Sequence, residues 1–508
     1  MVDYTTSGNI GNKALKRTMI NQNLIVQLKN ELDNSVAEQN NQRIAELSQS
    51  LAEMYKRNFD FKEAELYLKK SLNAYERLYD SEDPNLVTIL NQISALYFEM
   101  GMPALAEPYC KKLTSIYAKI HGPEHPEVAI GLTNLALIAQ SKNQYEKANQ
   151  MLKGALLIRE KALGKNNLEV AKSLINLSNL ELMIKDYASA LGYSRQAVAV
   201  VEDILDDKDL ELIYFYEQLV DILLINNEFD NACTYANKIL SIKEIKLGPT
   251  RQEICPTLMT LAKIYSSQTK YDLAIKSIKR ALTMKERVYG VNHIQLVPYF
   301  IELAGILSLQ QNYSQSEELL KQSLQIVERG DLEANKPLLD EILFKFANLY
   351  HTQKRYNKSK IFWLRLLELR QKFEHANIDE LCLVKAKLLQ CSYYQNESTE
   401  SKRYLDELLK TKNNVMVVSG VKVAQILFEV ANDLIKKEDF KQAEPILQKA
   451  IDLRTKYLGA NHVELVDPLK SMSVILLKTF RESEAEHILA CAQKILDDAN
   501  WYLYLNAD

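Results

Sequence analysis

Glycine and proline are both scarce in this chain, 14 and 11 among 508 residues. Average usage of roughly 7% glycine would supply about thirty-five. Tight β-turns draw on these two residues, so their scarcity excludes a fold of many short strands and favours long helices. Cysteine is sparse as well. Cys110, Cys233, Cys255, Cys382, Cys391 and Cys491 contain no Cys-x-x-Cys pair, which argues against a disulfide scaffold and for buried free thiols in a reducing compartment. No sign of charge dominates: 63 basic and 66 acidic side chains give a net charge of -3. Such balance supplies no global field for nucleic acid or an anionic membrane. No apolar run approaches the roughly 18 residues of a membrane span. The opening MVDYTTSGNI has neither the basic nor the apolar region of a secretory signal. These absences together predict a soluble, cytoplasmic chain that binds neither nucleic acid nor membrane.

What the sequence does have is a period. Small residues stand at Ala64, Ala106, Ala148, Ala190, Ala232, Ala274, Ser316, Ser359, Ser401, Ala443 and Ala485, 42 apart except for one step of 43. Three residues earlier the chain usually carries an aromatic: Phe61, Tyr145, Tyr187, Phe229, Tyr271, Tyr313, Tyr356 and Phe440. Twelve earlier lies a second small residue, among them Ala52, Ser94, Ala136, Ser178, Ala262, Ala304, Ala347, Ala431 and Ser473. Eleven helical hairpins account for this phasing. Small residues let the two helices of a hairpin touch, the aromatic fills the gap toward the next hairpin, and neighbours must stack to bury their apolar stripes. Gly122, Gly164, Gly248, Gly290 and Gly459, sixteen residues after an anchor, are expected to close second helices in the left-handed αL conformation. Asn58, Gly101, Asn143 and Asn227 are expected where the hairpin itself turns.

This phasing resembles the tetratricopeptide repeat, whose usual period is about 34. The longer unit, with Leu135-Ala136 in a first helix and Gly122-Pro-Glu-His-Pro-Glu-Val-Ala129 between repeats, is similar to the repeats of kinesin light chain and many bacterial tetratricopeptide proteins. The implied fold is all-α, a right-handed superhelical α-solenoid of about eleven hairpins with an N-terminal helix and a C-terminal cap. The expected organisation is a flexible start and amphipathic helix over 1–39, repeats one to eight over 40–371, a degenerate ninth repeat over 372–420, repeats ten and eleven over 421–495, and a cap over 496–508. The ninth has Leu389 where a small residue belongs and Thr411-Lys-Asn-Asn in place of Leu-Gly. It reads either as drift or as a bend, gap or recognition patch. Trp501, Tyr502, Leu503 and Tyr504 read as a cap over the last apolar face.

Catalytic chemistry finds little support. His125, His293 and His462 all fall nineteen residues after an anchor, so they read as turn residues units apart in space. His121, His351, His375 and His487 show no metal-ligand spacing in this reading, and phosphate loops, nucleophile elbows and kinase signatures are absent. No enzyme activity, metal or cofactor is expected. The acidic run Asp203, Asp206, Asp207, Asp209, Glu211 reads as a solvated turn.

The resemblance implies instead a scaffold or adaptor, with first helices lining a concave groove for a partner protein or extended peptide. The groove residues expected from repeat phase are Asn91, Thr133, Asn134, Asn176, Asn179, Gln218, Asp221 and Lys263, with Gln92, Ile175, Glu217, Met259, Ile301, Glu302, Phe344 and Asn348 beside them. Asn134 and Asn176 match the asparagine before Leu-Ala in kinesin-light-chain-like repeats, which by resemblance grips a peptide main chain. Asparagine suits this role because its amide offers a donor and an acceptor together. Two alternatives stand beside the scaffold: a peptide-gated regulator whose solenoid changes shape on binding, and a bacterial secreted effector scaffold.

Overall fold

The computed structural model describes residues 23–372, 377–411 and 419–505, with side chains to residue 498. All regular structure among them is helical. The chain divides into two compact units, 1–264 and 265–508. The first begins with helix α1, residues 23–37. Five hairpins follow: α2 (Asn41–Arg57) with α3 (Phe61–Tyr75), α4 (Val87–Glu99) with α5 (Pro103–His121), α6 (Pro126–Ser141) with α7 (Tyr145–Leu163), α8 (Leu168–Met183) with α9 (Tyr187–Ile204), and α10 (Glu211–Ile225) with α11 (Phe229–Leu247). Helix α12 (Cys255–Ser267) reaches the boundary, and α13 (Tyr271–Tyr289) follows it in the second unit. The second unit continues with α14 (Val297–Leu309) and α15 (Tyr313–Arg329), α16 (Lys336–Thr352) and α17 (Tyr356–Gln371), and α18 (Ile378–Tyr394) and α19 (Ser398–Lys410). It ends with α20 (Gly420–Lys436) and α21 (Phe440–Leu458), then α22 (Val466–Lys478) and α23 (Glu482–Leu505). All eleven sequence units are pairs of helices. Within each unit a helix packs chiefly on its sequence neighbours, the connectivity of an α-solenoid.

The period is written into the backbone. Positive φ recurs at Phe59, Gly101, Asn143, Lys185 and Asn227, then at Thr269, Gln311, Lys354, Asn396, Glu438 and Phe480. The next residue donates its N–H to the carbonyl five positions back, as from Asp60 to Tyr55 at 2.9 Å, Glu228 to Leu223 at 2.8 Å and Arg481 to Leu476 at 2.9 Å. These bonds close the first helix whichever side chain sits there. Gly101, Asn143 and Asn227 occupy the turn as expected. Asn58 does not: it caps α2 at φ -89, and the left-handed residue is its neighbour Phe59, whose ring is 81% exposed. The inter-repeat glycines also depart from the αL expectation. Gly122 has φ 91 and ψ 158, Gly248 φ 96 and ψ 149, and Gly459 φ 96 and ψ 155. That region is essentially closed to side chains, so these turns need glycine more strictly than an αL cap would.

Close approach at the small residues is equally direct. The Ser178 hydroxyl donates to the Ala190 carbonyl at 2.7 Å, Ser316 to Ala304 at 2.7 Å, and Ser359 to Ala347 at 2.8 Å. Each of these pairs joins the two helices of one hairpin. Between α5 and α6 the fit is tighter still: a Cβ built on Gly131 would lie 2.1 Å from Thr114 Oγ1. The aromatics before the anchors, Phe61, Tyr145 and Tyr187 among them, are the first residues of second helices. The side chains proposed as the C-terminal cap, and any helix before residue 23, lie outside the described residues.

In the second unit, the ninth repeat keeps its hairpin despite its irregular sequence. Leu389 fills the small-residue position and is 2% exposed. Asp379, buried near the start of α18, accepts the Ser419 N–H on both oxygens at 3.0 Å and so ties α18 to the entry of α20. Arg370 of α17 grips Asp340 of α16 with two bonds of 2.7 Å. Nearby, His351 Nδ1 lies 3.7 Å from Cys391 Sγ. Burial, and then the charge of Lys387, pushes the His351 imidazole down to about 4. Burial pushes the Cys391 thiol up to about 11. Both groups are therefore neutral at pH 7, and the thiol is not an activated nucleophile.

Two outcomes follow from this packing. Gly131→Ala should destabilise the first unit by about 1–3 kcal/mol in chemical denaturation, as overpacking does, and Thr114→Ala should recover part of the loss. His351 stays neutral when folded, whereas an unfolded histidine titrates near pH 6.5. Stability of the second unit should hold above about pH 6.5 and fall as pH drops toward 4, because only the unfolded chain takes up the proton. His351→Gln should flatten that slope in unfolding followed by tryptophan fluorescence, since Trp363 is fully buried in the same core.

Candidate functional site

Two residues ahead of the small position, four consecutive first helices carry a carboxamide: Gln92 on α4, Asn134 on α6, Asn176 on α8 and Gln218 on α10. Their spacing is 42 throughout. All four are half-buried. None forms a side-chain hydrogen bond among the described residues, and Gln92 Oε1 is shielded from solvent with no partner. Asn179, three residues beyond Asn176, is half-buried in the same state. A shielded acceptor left without a partner, as Gln92 Oε1 is, carries a penalty of about 1–3 kcal/mol. Repeating the half-buried carboxamide four times gives a row of donors and acceptors ready for a ligand.

The other expected groove residues are placed less uniformly. Asn91 is exposed, and its Nδ2 donates to the Tyr117 hydroxyl at 3.1 Å. Thr133 is engaged within the protein: its hydroxyl donates to the Ala129 carbonyl at 2.8 Å and accepts from Arg159 at 3.3 Å. Arg159 itself is buried and donates to Ser173 at 2.7 Å. Asp221 sits beside Glu217, and crowding by protein, then that like charge, raises its carboxyl while Lys263 opposes the rise. Glu217 also holds Lys243 at 2.9 Å. Asn348 is turned onto its own helix, donating to Phe344 O at 2.9 Å. Ile175 and Ile301, expected to face the groove, are 0% and 1% exposed. Packing an isoleucine against the partner helix gains roughly 1.5–3 kcal/mol over leaving it in water, so an apolar residue at this phase turns inward where a polar one stays out.

Clefts open between successive first helices at these positions. One of about 240 Å³ lies between α2 and α4 and is lined by Gln49, Glu53, Lys56, Asn91, Gln92 and Ala95. Another of about 330 Å³, lined by Glu217, Gln218, Asp221, Thr257 and Thr260, lies between α10 and α12. A third in the second unit, about 320 Å³, carries Glu302, Gly305, Phe344, Lys345 and Asn348 between α14 and α16.

The turn histidines behave as their phase predicts. Nδ1 of His125, His293 and His462 accepts the N–H two residues on at 3.4, 3.2 and 3.3 Å, capping the following helical turn. Within the acidic run, Asp206 accepts from Lys208 N–H and Asp209 from Glu211 N–H, both at 2.9 Å. One grouping escaped the sequence reading. His121 and His125 form a His-x-x-x-His pair, and the structure places both beside Glu127. Assigning His125 to the turn and His121 to the remainder hid the spacing.

Models of the tetratricopeptide repeat match residues 43–117, 87–156, 422–498 and 257–295. No curated protein matches the chain. Among solved structures, a kinesin light chain-type protein of Podosopora anserina with nearly identical TPR-like repeats aligns at 18% identity over 41% of this chain and 98% of its own, with a TM-score of 0.38. The apo form of RapI aligns at 14% over 73% of this chain and 98% of its own, TM-score 0.49. Yeast Tom70 aligns at 14% over 94% and 99%, TM-score 0.43. Tetratricopeptide repeats thus stand in both units, within a helical array whose step is 42 residues.

Proposed function

We propose that this protein is a scaffold or adaptor that captures an extended peptide or the extended segment of a partner protein along the first-helix face of residues 88–225. The observation that carries the reading is the row Gln92, Asn134, Asn176 and Gln218, half-buried and with no side-chain hydrogen bond among the described residues. A carboxamide matches a peptide bond, donating to its carbonyl and accepting from its N–H. A repeated carboxamide therefore holds main chain without selecting side chains. Selectivity would come from what lies between the rungs: the exposed Leu137 beside Asn134, and the acidic pair Glu217 and Asp221 beside Gln218. The regulator and effector readings share this groove and add a consequence of binding to it.

The test is selection of peptides from a displayed random library against the whole chain, followed by affinity measurement. Asn134→Ala with Asn176→Ala should leave helicity unchanged and weaken a selected peptide about 5- to 30-fold, the loss of one or two hydrogen bonds near 1 kcal/mol each. N-methylation of the peptide backbone should cost more than replacing most of its side chains. Unchanged affinity in the double variant would remove the assignment of the groove.

A further inference from the structure

We infer that His121, His125 and Glu127 form a binding site for a borderline divalent transition metal such as zinc. His121 ends α5, His125 caps α6 and Glu127 lies in the first turn of α6. One ligand atom from each falls within 4.8 Å of the other two. His121 Nε2 stands 3.1 Å from Glu127 Oε2; His125 Nδ1, 3.9 Å from the same oxygen, accepts the Glu127 N–H at 3.4 Å and would release that cap on taking an ion. Atoms each about 2.1 Å from a tetrahedral zinc lie roughly 3.3 Å apart. The first pair already has that separation, and the second needs a shift of about half an ångström, within a side-chain rotation.

The 3.1 Å approach is not a hydrogen bond: Glu127 Oε2 is shielded from solvent and has no aligned donor. Two imidazoles and one carboxylate form a recognised zinc donor set, which leaves a fourth position for water or a partner's side chain. His121, His125 and Glu127 are each about 40% exposed on their side chains, although Oε2 itself is covered, so the Glu127 carboxylate turns outward to meet an ion. Bound there, it would join the end of the second repeat to the start of the third.

The chain supplies its own comparison. His293 caps a turn at the same phase, but Tyr289 takes the place of His121 and stacks on it at 4.8 Å, as His121 stacks on His125 at 4.5 Å. The stacking is therefore a property of the turn. At His462 the carboxylate recurs as Glu464, but Leu458 stands where His121 does, so among the described residues two imidazoles and a carboxylate meet at this junction alone.

Titration calorimetry of the whole chain with zinc chloride tests the site. The wild type should bind one ion with a dissociation constant in the micromolar range. His121→Tyr restores the pairing seen at Tyr289 and should preserve the fold, yet weaken zinc at least tenfold; Glu127→Gln should do the same. His293→Asn, which retains a capping side chain, should bind as the wild type does. Zinc absorption spectroscopy should show two imidazole nitrogens and a carboxylate oxygen. Wild-type affinity in both His121→Tyr and Glu127→Gln would overturn the assignment. So would loss of the ion only in His487→Ala, whose imidazole lies 3.8 Å from the Cys491 thiol on α23.

Discussion

The structure depends on a contact between two small residues twelve positions apart, where the two helices of a hairpin bring their backbones together. The serine hydroxyls that cross from Ser178, Ser316 and Ser359 to the facing carbonyls show how little room remains. That contact fixes the relation of the two helices and the face on which each apolar stripe lies. A single hairpin leaves such a stripe uncovered, so the next must cover it. Residues at a given phase are thereby brought to equivalent positions on successive hairpins. Carboxamides on α4, α6, α8 and α10 align because the period aligns them.

Much of this was legible from residue spacing alone. Anchors, aromatic first residues of second helices and histidine caps all follow a regular interval, and local hydrogen bonding realises each within a few residues of chain. Long-range pairing was not legible. Thr133 has the phase of a groove residue, but Arg159, twenty-six positions later, takes its hydroxyl. Ile175 and Ile301 share a phase with Asn91, yet an apolar side chain follows packing rather than phase. Residue type misled at the turns: Asn58 looks suited to left-handed backbone, but closure of α2 assigns that conformation to Phe59. The division near residue 264 falls in mid-period and leaves no mark in the spacing.

The ninth repeat shows how such an array absorbs irregularity. In a chain of nearest-neighbour contacts, a poor unit weakens two interfaces rather than one common core. Leu389 is bulkier than the residue it replaces and is nonetheless buried. The Asp379 carboxylate binds the backbone ahead of α20 and so joins the ninth repeat to the tenth. A carboxylate bonded to an N–H is about twice as effective as a neutral acceptor.

Regularity also separates structural residues from functional ones. A side chain explained by its phase, such as His293 or His462, needs no further role, since each caps a turn. A side chain satisfied by neither phase nor partner is different. Asn134 and Asn176 sit half-buried with no side-chain hydrogen bond among the described residues, which leaves their amides available to a ligand. His121 stands where another turn uses tyrosine and adds a donor that stacking does not require. Both departures lie in the first unit, the carboxamides on the first helices and the imidazoles at a junction between hairpins. A period that accounts for most of a sequence makes its few unexplained polar groups the places where a ligand is needed to complete the chemistry.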